Sequence, residues 1–210
     1  MNFMKTPWLV KQWYPGLLWD KYRDSEKVLY LTFDDGPVEE VTPFVLDVLQ
    51  SYAAKATFFC VGDNINRYPD VFQQVLAEGH TVGNHTHHHV NGWKTSTQEY
   101  LKEVDLCEDA IERYIDNAPR KLLRPPYGRV TRAQIQKLRS TYEIVMWDIL
   151  SGDFDASFPA TTCLEKSIQH TRQGTIIIFH DSFKAKKNLE FVLPRYIHHF
   201  SKLGFQFRAL

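Results

Sequence analysis

Four short apolar runs recur along the chain, at residues 28–33, 56–61, 144–147 and 175–179. Each is nearly continuous and rich in β-branched or aromatic residues, with no strict alternation of polar and apolar positions. Runs of this kind fit strands buried on both faces, which is the situation of a parallel sheet. Amphipathic stretches lie between them. Strand–helix alternation along the whole chain means an α/β fold with a mainly parallel sheet. At 210 residues that leaves an open doubly wound sheet or a short barrel. In both, reactive groups collect at the C-terminal ends of the strands.

The helical stretches carry their own start signals. Thr42 and Pro43 read as a cap and first turn, with Val45, Val48, Leu49 and Tyr52 on one face. Pro69 opens a helix carrying Val71, Phe72, Val75 and Leu76, which Gly79 can close in the left-handed conformation. Ser96 and Glu99 have capping-box spacing, followed by Leu101, Val104, Cys107, Ile111 and Ile115 at helical period. Thr131 and Gln134 repeat that spacing. A last helix runs toward Gly204, with Pro194 at its start or at a kink. Residues 205–209 read as a closing strand.

Composition narrows the function classes. Twenty-five Lys and Arg balance 25 Asp and Glu, so nothing marks a chain that is basic all over for nucleic acid. Nor is there a polybasic membrane anchor. Cys60, Cys107 and Cys163 are odd in number and widely spaced, which reads as three buried thiols rather than a disulfide framework or a zinc knuckle. Lys5, Lys11 and Pro15 interrupt the apolar N-terminal stretches, so no signal-peptide core forms. No segment approaches the ~18 apolar residues of a membrane span. The expectation is a cytoplasmic chain, or an extracytoplasmic one where a leader has been removed. No protein partner is readable.

Polar residues follow the strand candidates in order. Asp34, Asp35, Gly36 and Pro37 come after the first run. Neighbours on a strand point apart, so both carboxylates reach one site only where the strand ends and the chain turns. The same residues would also serve as a cap and a solvated turn. After Thr81 and Val82 comes Gly83-Asn84-His85-Thr86-His87-His88-His89. His85 and His89 would share a face of a helix, and two His with a carboxylate form a usual catalytic metal set. An exposed polar loop would look the same. Arg124-Pro125-Pro126-Tyr127-Gly128 offers a stiff turn and an arginine able to hold a carboxylate. Asp148, Asp153, His180 and Asp181 follow the last two runs. His87 and His88 read as exposed. His80, His170, His198 and His199 read as structural or surface.

The series Thr32-Phe33-Asp34-Asp35-Gly36-Pro37, His85-x-x-x-His89, Arg124-Pro125-Pro126-Tyr127-Gly128 and Ile178-Phe179-His180-Asp181 resembles the motifs of polysaccharide deacetylases, the NodB-homology domains of carbohydrate esterase family 4. The resemblance runs over roughly residues 27–210 and leaves 1–26 as an N-terminal extension. Trp147 and Asp153 also fit, while Phe154 stands where a Trp is usual. The resemblance implies a distorted (β/α)7-type barrel of mainly parallel strands and a divalent metal, usually zinc, with cobalt or nickel as other occupants. It implies metal ligands Asp35, His85 and His89, a general base Asp34 oriented by Arg124, and a general acid His180 tuned by Asp153. It also implies a Tyr127 N–H at the oxyanion, with Trp147 and Ile178 around the acetyl methyl. The expected reaction is removal of N-acetyl groups from an N-acetylglucosamine-type glycan, peptidoglycan or chitin-like. An O-acetyl esterase, a small-amide hydrolase or a catalytically silent glycan-binding protein would keep the same fold.

Overall fold

The structure is a computed structural model that describes residues 4–22, 26–115 and 121–210. Its centre is a curled parallel sheet. The strands are β1 (Val28–Asp34), β2 (Thr57–Cys60), β3 (Thr81–Asn84), β4 (Lys121–Leu123), β5 (Tyr142–Ile144), β6 (Ile149–Leu150) and β7 (Ile176–His180), with a short β8 (Gln206–Phe207). They lie in the order β5-β4-β3-β2-β1-β7-β6, and β8 pairs with the start of β1. Every ladder is parallel. The strand–helix alternation left an open sheet or a barrel, and the structure has the distorted barrel that the motif resemblance implies.

All seven residues of β1 are buried, which explains their unbroken apolar pattern. Successive side chains go to opposite faces. Leu29, Leu31 and Phe33 join Ile177 and Phe179 under the outer helices α2 (Val41–Ser51) and α8 (Lys186–Lys202). Val28 and Tyr30 join Phe59, Leu122, Val145 and Ile176 in a separate inner cluster. Each fully buried Leu, Ile or Phe adds on the order of 1.5–3 kcal/mol relative to exposure. The remaining helices are α1 (Trp8–Trp13), α3 (Gly62–Arg67), α4 (Pro69–Ala77), α5 (Thr97–Glu112), α6 (Arg132–Leu138) and α7 (Ala160–His170). None of the described helices is long and apolar enough to cross a membrane.

The sheet's two outer strands, β5 and β6, are bridged by the N-terminal segment. Leu18 N–H donates to the Ile144 carbonyl (2.9 Å) and the Leu18 carbonyl accepts from Met146 (2.7 Å). On the other side the Met4 carbonyl accepts from Leu150 and Thr6 N–H donates to Asp148, both at 2.8 Å. Lys11 Nζ ties Asp148 (2.5 Å) to Asp20 (2.6 Å), and the Tyr22 hydroxyl donates to the same Asp148 carboxylate. Asp148 is therefore turned to this seam and not to the strand-end cluster in which the sequence order placed it.

Local expectations need several corrections. The apolar run 144–147 is not one strand. β5 ends at Ile144, and the chain then crosses from β4, where Val145 N–H meets Leu123, to β7, where Asp148 N–H meets Ile176. α2 starts at Val41, so Thr42 lies inside its first turn, and its hydroxyl serves Val38 and Asp181 instead of capping. Pro194 is inside α8, which already begins at Lys186. The closing strand is only Gln206–Phe207. Ser96 caps α5 through Glu99 N–H, and Thr131 with Gln134 forms a complete capping box on α6. All three cysteines are buried free thiols.

Candidate active site

Strand parity assembles the site. The inner face of β1 carries Val28, Tyr30, Thr32 and, last, Asp34. Asp34 sits in register with His180, the last residue of β7. His85 leaves the end of β3, its N–H held by the Cys60 carbonyl, and Arg124 leaves the end of β4, its N–H held by Asn84. Four polar side chains thus converge at the C-terminal mouth of the barrel.

Asp35, His85 and His89 form one corner. Their candidate donor atoms all lie within 4.8 Å of one another. His89 Nε2 is 3.2 Å and His85 Nε2 3.8 Å from Asp35 Oδ1. The two histidines do not share a helical face. Residues 85–89 form a loop in which Thr86 (φ 61°) and His89 (φ 53°) adopt left-handed backbone. Burial lowers His85 to about 4, against the pull of Asp34, so the ring is neutral near pH 7. Its Nδ1 then donates to the Arg124 carbonyl at 2.7 Å, leaving the Nε2 lone pair aimed into the corner. Burial works to raise the Asp35 carboxyl, but its bond to His89 and the surrounding imidazoles hold it far below the usual carboxylate range. One carboxylate oxygen and two imidazole nitrogens, with the buried ring fixed in the coordinating tautomer, fit a single divalent cation.

Asp34 stands beside this corner, its Oδ2 3.9 Å from His85 Nε2. Its Oδ1 accepts from Arg124 Nη1 at 2.7 Å. Arg124 is fully buried and fixed on every side. It donates to Thr32, Val145 and Met146, and its guanidinium lies 4.1 Å from the Phe59 ring centre. A buried arginine so fully paired can hold a carboxylate in a single orientation.

Across the mouth, His180 Nδ1 donates to Asp153 Oδ1 at 2.8 Å, and His180 N–H donates to Asp153 Oδ2, also at 2.8 Å. Ser151 donates to the same carboxylate at 2.9 Å. Burial alone would lower His180, but the Asp153 carboxylate and its hydrogen bond raise it to about 9. Phe154 meets the His180 ring edge-on at 4.9 Å, so a phenyl ring performs the packing at this aromatic position.

Tyr127 occupies a 3₁₀ turn, Pro126–Gly128, with left-handed backbone (φ 59°), and its hydroxyl reaches His89 Nδ1 at 3.1 Å. Gly128 cannot carry a side chain there. Its φ is +65°, and a Cβ would lie 2.5 Å from the Trp147 ring. Ile178, buried, lies two residues before His180 on the same face of β7. An open groove of 380 Å³ leads away from Asp35 and His89, past Tyr68, Phe183 and Lys184.

His88 is exposed and bonds Glu103. His87, expected to be exposed as well, is half-buried, and its Nδ1 approaches the place a Gly62 Cβ would occupy. His80 is structural: buried, lowered to about 4 by desolvation, and accepting from Ala56 N–H. Sequence reasoning gave no role to Asp181. It is buried, and desolvation pushes it up to about 8 against the Thr42 hydrogen bond. It accepts from Gly36 N–H (3.1 Å) and the Thr42 hydroxyl (2.6 Å). Its place directly after His180 was the only signal.

Fold and site together define a (β/α)7-type barrel protein whose strand ends present an Asp–His–His cluster suited to a divalent cation. The sequence profile described as polysaccharide deacetylase matches residues 21–142. A peptidoglycan-N-acetylglucosamine deacetylase of Bacillus cereus is 35% identical over 153 residues, covering 72% of this chain and 55% of that protein. A second protein of that name from the same organism is 30% identical over 186 residues, covering 88% and 86%. A crystal structure of a peptidoglycan N-acetylglucosamine deacetylase, solved in complex with an N-oxidanyl-benzamide, superposes with a TM-score of 0.88. Its identity is 29%, over 98% of this chain and 95% of that one. The chain belongs to the polysaccharide deacetylase family.

Proposed function

We propose that this chain is a metal-dependent deacetylase that hydrolyses the N-acetyl groups of N-acetylglucosamine residues in peptidoglycan or a closely related glycan. The observation that carries this reading is the convergence, at one barrel mouth, of the Asp35, His85 and His89 donor atoms, an arginine-held carboxylate and an imidazole bonded to a buried carboxylate. The names of the relatives above support the substrate class.

Asp35, His85 and His89 would hold the cation, with zinc as the proposed occupant. A divalent cation bound there would supply a Lewis acid and lower the pKa of water at the site. Asp34 takes the water's proton, and Arg124 keeps its free oxygen turned toward the corner. The Tyr127 N–H donates to the oxygen that gains charge. Trp147 and Ile178 enclose the acetyl methyl. His180 carries its proton on the nitrogen opposite Asp153 and delivers it to the leaving amine, which departs poorly unless protonated. A value of about 9 keeps that proton in place near pH 7.

The test is acetate release from a panel of acetylated glycans: peptidoglycan, N-acetylglucosamine oligomers and O-acetylated xylan. Release from the first two, abolished by chelator and restored by zinc, is expected. Release from acetylated xylan alone would replace this reading with an O-acetyl esterase.

A further inference from the structure

The proposed metal ligand Asp35 has an expensive backbone. Its φ of 80° lies in the left-handed region, where a non-glycine residue costs on the order of 1–2 kcal/mol. Such a conformation persists only where the surroundings over-determine it. Here nearly every backbone polar group of the turn is held from outside. Asn64 donates to the Asp35 carbonyl at 2.7 Å, and Val61 N–H donates to the Gly36 carbonyl at 2.9 Å. Three further ties run through one buried residue, Asp181, one by its backbone and two by its carboxylate. Asp181 N–H donates to the Asp34 carbonyl at 3.1 Å. Asp181 Oδ1 accepts from Gly36 N–H at 3.1 Å, and its Oδ2 accepts from the Thr42 hydroxyl at 2.6 Å. That hydroxyl in turn accepts from Val38 N–H at 2.9 Å.

We propose that Asp181, acting with Thr42, is a positioning residue that clamps the turn at residues 34–38 and so aims the Asp35 carboxylate at its cation. Asp181 belongs neither to the corner's donor set nor to the groove lining, though its carboxyl feels the Asp35 charge. Its contacts are the backbone that carries Asp35 and the hydroxyl that fixes the far end of the turn. The fit is close: a Cβ on Gly36 would lie 2.0 Å from Asp181 Oδ2. Gly36 is thus the residue that lets the carboxylate approach the backbone. Groups that orient a ligand from behind typically govern metal affinity by on the order of 10–100-fold.

The inference rests on Asp35 being a metal ligand, and its test is separate from the test of the reaction. Wild-type acetate release reports on the reaction. The zinc dissociation constant of variant relative to wild type, measured by chelator competition, reports on the clamp. Asp181→Ala should weaken zinc on the order of 10-fold or more and remove hydrogen-exchange protection at the Gly36 amide. Asp181→Asn should recover part of that affinity, because its carbonyl can still accept from Gly36. Its amide can donate to Thr42 with the bond reversed. Thr42→Val, which leaves Asp181 in place, should weaken zinc by a smaller factor and covers the case in which Asp181→Ala does not fold. A folded Asp181→Ala or a Thr42→Val with wild-type zinc affinity would overturn the proposal. So would an unprotected Gly36 amide in the wild type.

Discussion

The cation side of the groove is held by loop backbone in the left-handed region, whereas the acid side is held by strand register. Asp35, Thr86, His89 and Tyr127 all have positive φ and all surround the cation corner; Ala53 is the other described non-glycine residue in that region. His180 is instead the last residue of β7, paired in register with Asp34, and its partner Asp153 is fully enclosed. Stored backbone strain of this kind gathers where a site must present groups that regular structure cannot place together. Strand register needs no strain, because alternate residues share a face. The cation side should therefore fail as a unit when one member is removed, and the acid side should fail through electrostatics.

The largest effect tests the cation side. His85→Ala removes a buried donor whose tautomer the Arg124 carbonyl fixes. Bound zinc, measured by metal analysis, should be lost, and acetate release should fall on the order of 10³-fold or more, since on the proposed mechanism a bound cation would supply several kcal/mol to the reaction. Retention of a full equivalent of zinc would break the ligand assignment. Asp34→Asn should separate the functions that two adjacent carboxylates share. Zinc should stay bound, while turnover falls on the order of 10²–10⁴-fold, the range of a positioned proton acceptor. Loss of zinc in that variant would make Asp34 a ligand and not a base.

A smaller effect, visible in pH dependence, tests the acid side. Asp153, with smaller pulls from Asp35 and Asp34, raises His180 against burial to about 9 from the ordinary 6.5. The protonated donor is present below that value, so kcat/KM should fall as pH rises through about 9. The same shift stabilises the fold fully below pH 6.5, and that contribution is lost as pH rises through about 9. In Asp153→Asn the bonded carboxylate is gone, and burial, which lowers the imidazole, is opposed only by the smaller pulls of Asp35 and Asp34. The alkaline limb should move down by more than one pH unit in a profile recorded at saturating zinc. A limb that stays in place would assign it to another group.

The sequence exposes the acid side and the fold more fully than it exposes the supports of the cation side. Burial on both faces writes β1 and β7 as continuous apolar runs, and reactive residues then fall at their ends. That rule puts His180 and Asp34 at strand ends, while the roles expected of them come from the motif resemblance. The run 144–147 misleads for the same reason: Val145 is apolar because it fills the barrel interior, and Trp147 because it packs on Gly128, not because the segment is a strand. Periodicity cannot separate those causes. The turn at Asp35 depends on Asp181 and Thr42, which lie far apart in sequence and meet only in the folded chain. The bridging of β5 and β6 by residues 4–22 is equally invisible, since it is made by backbone hydrogen bonds and by Lys11 against Asp148.

The smallest expected effect sharpens where the cation side ends. His85, His87, His88 and His89 are close in sequence, and any pair could serve as ligands on composition alone. The left-handed residues Thr86 and His89 fold the loop so that alternate outcomes are forced on neighbours. His89 turns its Nε2 to Asp35, while His88 turns its ring outward to Glu103 on α5, at 3.0 Å. An exposed pair of that kind is worth on the order of 0.2–1 kcal/mol. His88→Ala should therefore leave zinc stoichiometry unchanged and acetate release within about 2-fold, with stability lowered by about 1 kcal/mol or less. His89→Ala, one residue away, should lose zinc. Calorimetric zinc titration of the two variants side by side decides the matter. A tenfold loss of affinity in His88→Ala would mean that the Glu103 contact helps hold the loop, and the boundary of the cation side would then extend onto α5.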